Sequence, residues 1–146
     1  MRAIVQRVIR ASVSIRGEAV ASIGPGMLVL LGAAVDDTEA EAKWLADKIS
    51  GLRIFSDESG KMNLDISQIH GEILVVSQFT LYGDCRKGKR PSYSHAASAE
   101  SAQELYSEFV SILERTGIPV KQGVFGAMME VELLNDGPVT LIVETP

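Results

Sequence analysis

The chain is poor in the residues most often used for covalent or metal chemistry. Its 146 residues include one cysteine and two histidines. A lone Cys85 excludes an intramolecular disulfide and points to a reducing compartment. His70 and His95 cannot build a three-histidine zinc site within one chain. No C-x-x-C, H-x-x-x-H or carboxylate-rich metal pattern occurs, and there is neither a G-x-S-x-G nucleophile elbow nor a G-x-x-x-x-G-K-[ST] phosphate loop. No apolar run approaches the roughly 20 residues of a membrane span. The longest, GMLVLLGAAV at 26–35, is strand-sized. The start, MRAIVQRVIRASV, has no apolar core or small-residue cleavage site of a signal peptide. These absences predict a cytoplasmic protein with no membrane partner, no metal and no phosphate-loop nucleotide site.

What is present is enough for one packed domain over 1–146. Hydrophobic residues make up 46% of the chain, which excludes a disordered tail protein. Net charge is −5, from 19 acidic and 14 basic residues, and argues against wholesale coating of nucleic acid. The cations are uneven, however: Arg86, Lys87, Lys89 and Arg90 fall within five positions. Such a loop is either simply solvated or able to touch a few phosphates at the end of an RNA.

Periodicity predicts strands and two helices. In AIVQRVIRASVSI, alternation breaks at Val8 and Ile9, which predicts a bulge or strong twist. RGE at 16–18 and GPG at 24–26 read as turns. MLVLLGAAV is apolar on both faces and suits a strand buried on both sides. A helix is expected from Thr38 to about Leu52, with Thr38 and Glu41 as a capping box and Gly51 as a left-handed C-cap. A second runs from about Ala99 to Thr116, capped by Ser98 and ended by Gly117 and Pro119. Three β segments follow: IPVKQG, AMMEVELLN and PVTLIVET, the last two separated by a turn-like Asp136–Gly137. The predicted class is α+β: a single domain with a curved, mainly antiparallel, barrel-like sheet and two main helices.

The chemistry concentrates where the apolar run EILVVS ends in SQFT. Ser77, Gln78 and Thr80 supply hydroxyl and amide groups, and Phe79 a ring and a backbone N–H. By themselves these residues read equally well as groups that satisfy a turn. Likewise NDGPVT at 135–140 reads as a turn before an edge strand. His70 precedes Gly71 at a turn and reads as a surface histidine.

Taken together, SQFTLY at 77–82 and NDGPVT at 135–140 resemble the signature pair of the D-aminoacyl-tRNA deacylases. The opening MRAIVQRV and the stretch GVFGAMMEV at 123–131 are similar to that family too, and the likeness runs from Met1 to Pro146. Asn135, Gly137, Pro138 and Thr140 fill the family's N-x-G-P-x-T pattern without departure. The resemblance implies a homodimer that hydrolyses the ester between a D-amino acid and the terminal adenosine of tRNA. It also implies clearance of mischarged glycyl-tRNA, and it implies no cofactor. It implies a cis Gly137–Pro138 pair that enters the active site of the other subunit and selects chirality. Gln78, Phe79 and Thr80 become the expected catalytic residues, with Ser77, Phe125 and Met129 around the substrate. Arg7 is expected to brace the incoming Gly-Pro loop of the other subunit by hydrogen bonds to its carbonyls, and Arg86, Lys87, Lys89 and Arg90 to meet tRNA phosphates.

This chemistry is coherent with the missing nucleophile sets. An aminoacyl ester is already reactive, so positioning and an oxyanion hole near Phe79 and Thr80 supply much of what is needed. The terminal ribose carries a neighbouring hydroxyl that can help activate water. Thr80 has no base in the sequence to make it a nucleophile. Two rival classes remain open from the residues: a small-ester or thioester hydrolase using Cys85 and His95, and a non-catalytic module that binds an RNA end.

Overall fold

A computed structural model describes all residues, 1–146, and orders them as eight strands and two helices. The strands are β1 (Arg2–Ile15), β2 (Glu18–Ile23), β3 (Gly26–Gly32), β4 (Phe55–Ser56), β5 (Met62–Leu64), β6 (Glu72–Ser77), β7 (Val120–Gln122) and β8 (Glu130–Glu144). The helices are α1 (Glu39–Ser50) and α2 (Ala99–Arg115).

β1 is the spine of the sheet. Along one edge its first half pairs with β3 and its second half with β2; along the other edge β8 runs beside almost its whole length. All three pairings are antiparallel. The break in alternation at Val8 and Ile9 coincides with register shifts against β8 on either side of Val8. β3–β6 and β6–β7 are parallel, so the sheet is mixed. The reason lies in the connections: α1 and the small β4–β5 hairpin cross between β3 and β6, and α2 crosses between β6 and β7. A helical crossover returns the chain in its original direction. The sheet then curls until Lys121 of β7 donates to the carbonyl of Ser22 in β2 at 2.7 Å. This nearly closes a barrel.

Curling gives the sheet two apolar faces. Val5, Met27, Val29, Leu31, Ile73 and Val75 point to the helices and meet Leu45, Ile49, Phe109 and Leu113. Val8, Val13, Leu28, Leu74 and Val76 fill the other face. This is why β3 is apolar throughout. Phe109 is fully buried, and its truncation to alanine costs about 3–5 kcal/mol.

The capping box of α1 forms as expected: Thr38 accepts from the helix and Glu41 reaches back to the Thr38 N–H at 2.8 Å. Gly51 is a correction, because its φ of −94° is not left-handed. The glycine that ends a helix in the left-handed region is Gly117, at φ +83° just past α2, where the chain must reverse into β7. The expected turn at Asp136–Gly137 is a second correction. β8 is one strand that continues through it, because β1 is long enough to pair with both halves. Asn135 faces Val8 and Thr140 faces Gln6, so 136–139 bulge outward against a single intervening residue of β1.

Candidate active site

A cavity of about 570 Å³ opens where the parallel strands β3 and β6 end. Leu31 and Val76, from opposite faces of the sheet, both line it. Tyr106 of α2, with Phe125 and Met129 from the segment before β8, forms walls. The lining is mainly apolar, and Ser77 and Gln78 at the end of β6 supply its polar side chains together with Tyr106. The Gln78 N–H donates to the Leu31 carbonyl at 2.7 Å, which carries the β3–β6 ladder to the very edge of the cavity.

There the backbone changes form. Phe79–Tyr82 make a single 3₁₀ turn. Phe79 and Thr80 offer its first two N–H groups, which have no partner inside the turn. The Gln78 side-chain amide donates to Thr80 Oγ1. That bond occupies a lone pair of the hydroxyl and leaves its proton free to be donated. No side-chain base touches Thr80.

Tyr106 and Phe125 were legible only in part. Tyr106 reads as one apolar position of α2, yet its hydroxyl donates to the buried Val75 carbonyl at 3.0 Å and its ring packs on Phe125 at 5.8 Å. Burial pushes its phenol well above the ordinary tyrosine range. A tyrosine on an otherwise apolar helix face was the available signal, since a buried phenol needs a partner. Ala97 also lines the cavity and had no signal in the sequence; Met1 and Gly126–Met128 line it too, and they were marked only by lying in stretches similar to the family.

Gly137 and Pro138 lie elsewhere. Both are exposed on the bulge of β8, are joined by a cis peptide bond, and are absent from the cavity lining. The bulge is held from behind. Asn135 Nδ2 donates to the carbonyls of Arg7, at 2.9 Å, and Val139, at 3.1 Å, while the Val139 side chain is buried. Arg7 is the one buried charged residue. Its guanidinium pairs with the Asp136 carboxylate at 2.9 Å and donates to the Ile54 carbonyl at 2.7 Å. It therefore braces the Gly-Pro bulge of its own chain, through Asp136 rather than through the carbonyls of Gly137 or Pro138.

The cationic loop is also rearranged by its neighbours. Arg86 forms a two-pronged pair with Asp84, at 2.9 and 2.7 Å. The hydrogen bonds and charge of Arg86 hold the Asp84 carboxyl far below the usual carboxylate range. Lys87, Lys89 and Arg90 are exposed and form no ion pair. Cys85 and His95 are both exposed and no hydrogen bond joins them, so the thiol–imidazole pair is not assembled.

The family model described as D-Tyr-tRNA(Tyr) deacylase matches residues 4–144. A protein named D-aminoacyl-tRNA deacylase from Desulfatibacillum aliphaticivorans is 59% identical over 145 residues, covering 99% of each chain. One of the same name from Thermotoga petrophila is 54% identical, covering 99% of this chain and 97% of the relative. Among solved structures, one named c-Myc DNA Unwinding Element Binding Protein superposes with a TM-score of 0.94 at 44% identity, over 100% of this chain and 99% of that one. Another, described as a probable eukaryotic D-amino acid tRNA deacylase, shares the fold with a TM-score of 0.83 at 16% identity, over 99% and 98%. The chain belongs to the D-Tyr-tRNA(Tyr) deacylase family.

Proposed function

We propose that the protein hydrolyses the ester of D-aminoacyl-tRNA, releasing the amino acid and free tRNA, and that a second copy of the chain completes each site. The observation that carries the reading is the cavity at the end of β6: an apolar chamber edged by Ser77, Gln78 and unpaired backbone donors, with no nucleophile–base pair. Such a site suits an ester that is already activated. The N–H groups of Phe79 and Thr80 stabilise the oxyanion as water adds to the carbonyl. Thr80 positions the substrate, and the ribose hydroxyl beside the ester helps activate the water. Phe125 and Met129 hold the aminoacyl-adenosine end against the apolar wall.

Chirality needs a rigid group that reads the α-carbon without reading the side chain. In this reading the Gly137 and Pro138 carbonyls of the partner hold the α-amino group and fill the space an L side chain would take. Their exposure, their separation from the cavity of their own chain and their bracing by Asn135 and Arg7 support it. Glycyl-tRNA lacks a side chain to exclude and is accepted. Lys87, Lys89 and Arg90, with Arg86 in a reduced role, meet acceptor-end phosphates. The place of action is the cytoplasm, with the tRNA pool.

The test is release of amino acid from D-tyrosyl-, L-tyrosyl- and glycyl-tRNA. Release from the D and glycyl substrates with the L substrate intact is expected. Equal release from D and L overturns chiral selection. Retention of charged tRNA without release would favour an RNA-end binding module.

A further inference from the structure

Phe79 and Tyr93 stand together at the rim of the cavity, and both are unusually open for aromatic rings: 55% and 41% exposed. Their centroids are 5.1 Å apart and their planes cross at 65°. Phe79 also lines the cavity, whereas Tyr93 does not, so Tyr93 is one step further out. The position of Tyr93 is built into the backbone. The N–H groups of Asp84 and Ser92 each donate to the other's carbonyl, at 2.8 and 3.0 Å, and close the base of the cationic loop. Gly83 packs so tightly against Tyr93 that a Cβ there would come within 3.0 Å of the ring and of the Thr80 carbonyl. The ring is thus seated against the catalytic turn by the absence of a side chain. Lys87, Lys89 and Arg90 project from the same closed loop, with no acidic partner.

Open aromatic faces beside unpaired cations form the chemistry that binds single-stranded nucleic acid: rings stack bases while cations meet the phosphates between them. We infer that the Phe79–Tyr93 pair is a stacking platform for the unpaired nucleotide that precedes the terminal adenosine. The inference rests on the deacylase reading, in which the cavity takes the aminoacyl-adenosine. The next base then emerges at the rim, on Tyr93, with its phosphates facing the loop. Tyr93 is a positioning residue: it holds the strand so that the ester reaches Phe79 and Thr80.

Two measurements test this. The first compares hydrolysis of D-tyrosyl-tRNA with that of D-tyrosyl-adenosine, which has no preceding nucleotide. Tyr93→Leu should lower kcat/KM on the tRNA about tenfold, mainly through KM, the scale of one lost base stack. It should change kcat/KM on D-tyrosyl-adenosine less than twofold, and Tyr93→Phe should restore the tRNA value. The second uses an uncharged hairpin RNA with an unpaired 3′ end carrying 2-aminopurine at the penultimate position. The wild type and Tyr93→Phe should quench its fluorescence on binding, and Tyr93→Leu should not. Equal losses on both ester substrates, or no loss on either, overturn the platform while leaving the deacylase intact. Tyr93-dependent quenching by a protein that releases no amino acid overturns the deacylase reading and leaves the platform standing.

Discussion

The end of β6 and the bulge of β8 carry the two signature stretches, and they are opposites in their setting. The first runs from a parallel strand with a buried middle, Ile73–Val76, straight into a cavity, and its backbone bond to Leu31 fixes its direction. The second rises from an edge strand that pairs only with β1, and it faces solvent with nothing of its own chain in front of it. Yet the second is no looser: Asn135, Arg7 and the buried Val139 hold it from behind. In the proposed dimer, a stretch braced on one side and bare on the other serves the site of the partner. A stretch that edges a cavity is shaped for something that enters it.

The sharpest challenge to the β6 half removes the help it borrows. A D-aminoacyl-tRNA whose terminal adenosine lacks the hydroxyl beside the ester should bind normally and react about 1,000-fold more slowly, within the usual range for losing an acid–base group. Thr80→Val, by contrast, should cost about tenfold, the scale of one hydrogen bond. Rapid-quench hydrolysis measures both, and a covalent acyl group trapped on Thr80 would replace this mechanism with nucleophilic catalysis.

The β8 half is tested by Gly137→Ala. Within one chain a Cβ at this position meets only Asn135 Oδ1, at 3.9 Å, an ordinary contact. Thermal stability should therefore stay within about 1 kcal/mol of the parent. D-aminoacyl-tRNA hydrolysis should fall about 100-fold, because a displacement near 1 Å at a positioning group costs that much. Light scattering should report a dimer. Full activity in this variant, or a D-selective monomer, would dissolve the contrast between the two stretches.

A smaller effect is expected at the cationic loop, which follows the first stretch. Lys87→Ala with Lys89→Ala should weaken tRNA binding and lower the slope of log affinity against log salt by about 1 to 2, since two counterions are no longer released. The rate at saturating tRNA should not change. An unaltered salt slope removes the loop from the RNA interface.

The smallest effect concerns how firmly the first stretch is joined to its own chain. Tyr82 closes it, and burial, with a lesser push from Asp37 against the pull of Arg2, raises its phenol to about 12. An unfolded tyrosine ionises near 10. The folded state thus holds this proton more tightly, and the stability it contributes is intact below pH 10 and lost as pH rises towards 12. Tyr106 shifts in the same direction. Melting temperature should decline over that interval, and less steeply in Tyr82→Phe.

Local chemistry in the sequence foretold local structure well. The Thr38–Glu41 capping box, the Ser98 cap and the break at Val8 depend on residues a few positions apart, and all appear. Long-range pairing was less visible. Asn135-Asp136-Gly137-Pro138 has the composition of a turn, and only the length of β1 keeps β8 running through it. For the site, Ser77 and Gln78 were legible as polar groups at the end of an apolar strand, and Phe125 and Met129 through resemblance alone. Ala97 was not legible, since an apolar wall is made by whichever residues the fold brings together. The Arg86–Asp84 clamp was hidden for a simpler reason: a count of cations ignores a carboxylate two residues away.

Arg7 has a reach that its role at the bulge does not exhaust. One prong of its guanidinium grips Asp136, and another grips the carbonyl of Ile54, where the chain enters the small β4–β5 hairpin. The side chain is thus a rigid strut with one foot beneath the Gly-Pro bulge and the other at the root of a hairpin that has no place in the cavity. A single buried cation therefore joins the root of the hairpin to the bulge. Loss of that one guanidinium would strip two anchors at once, leaving the Asp136 carboxylate and the Ile54 carbonyl without their shared partner.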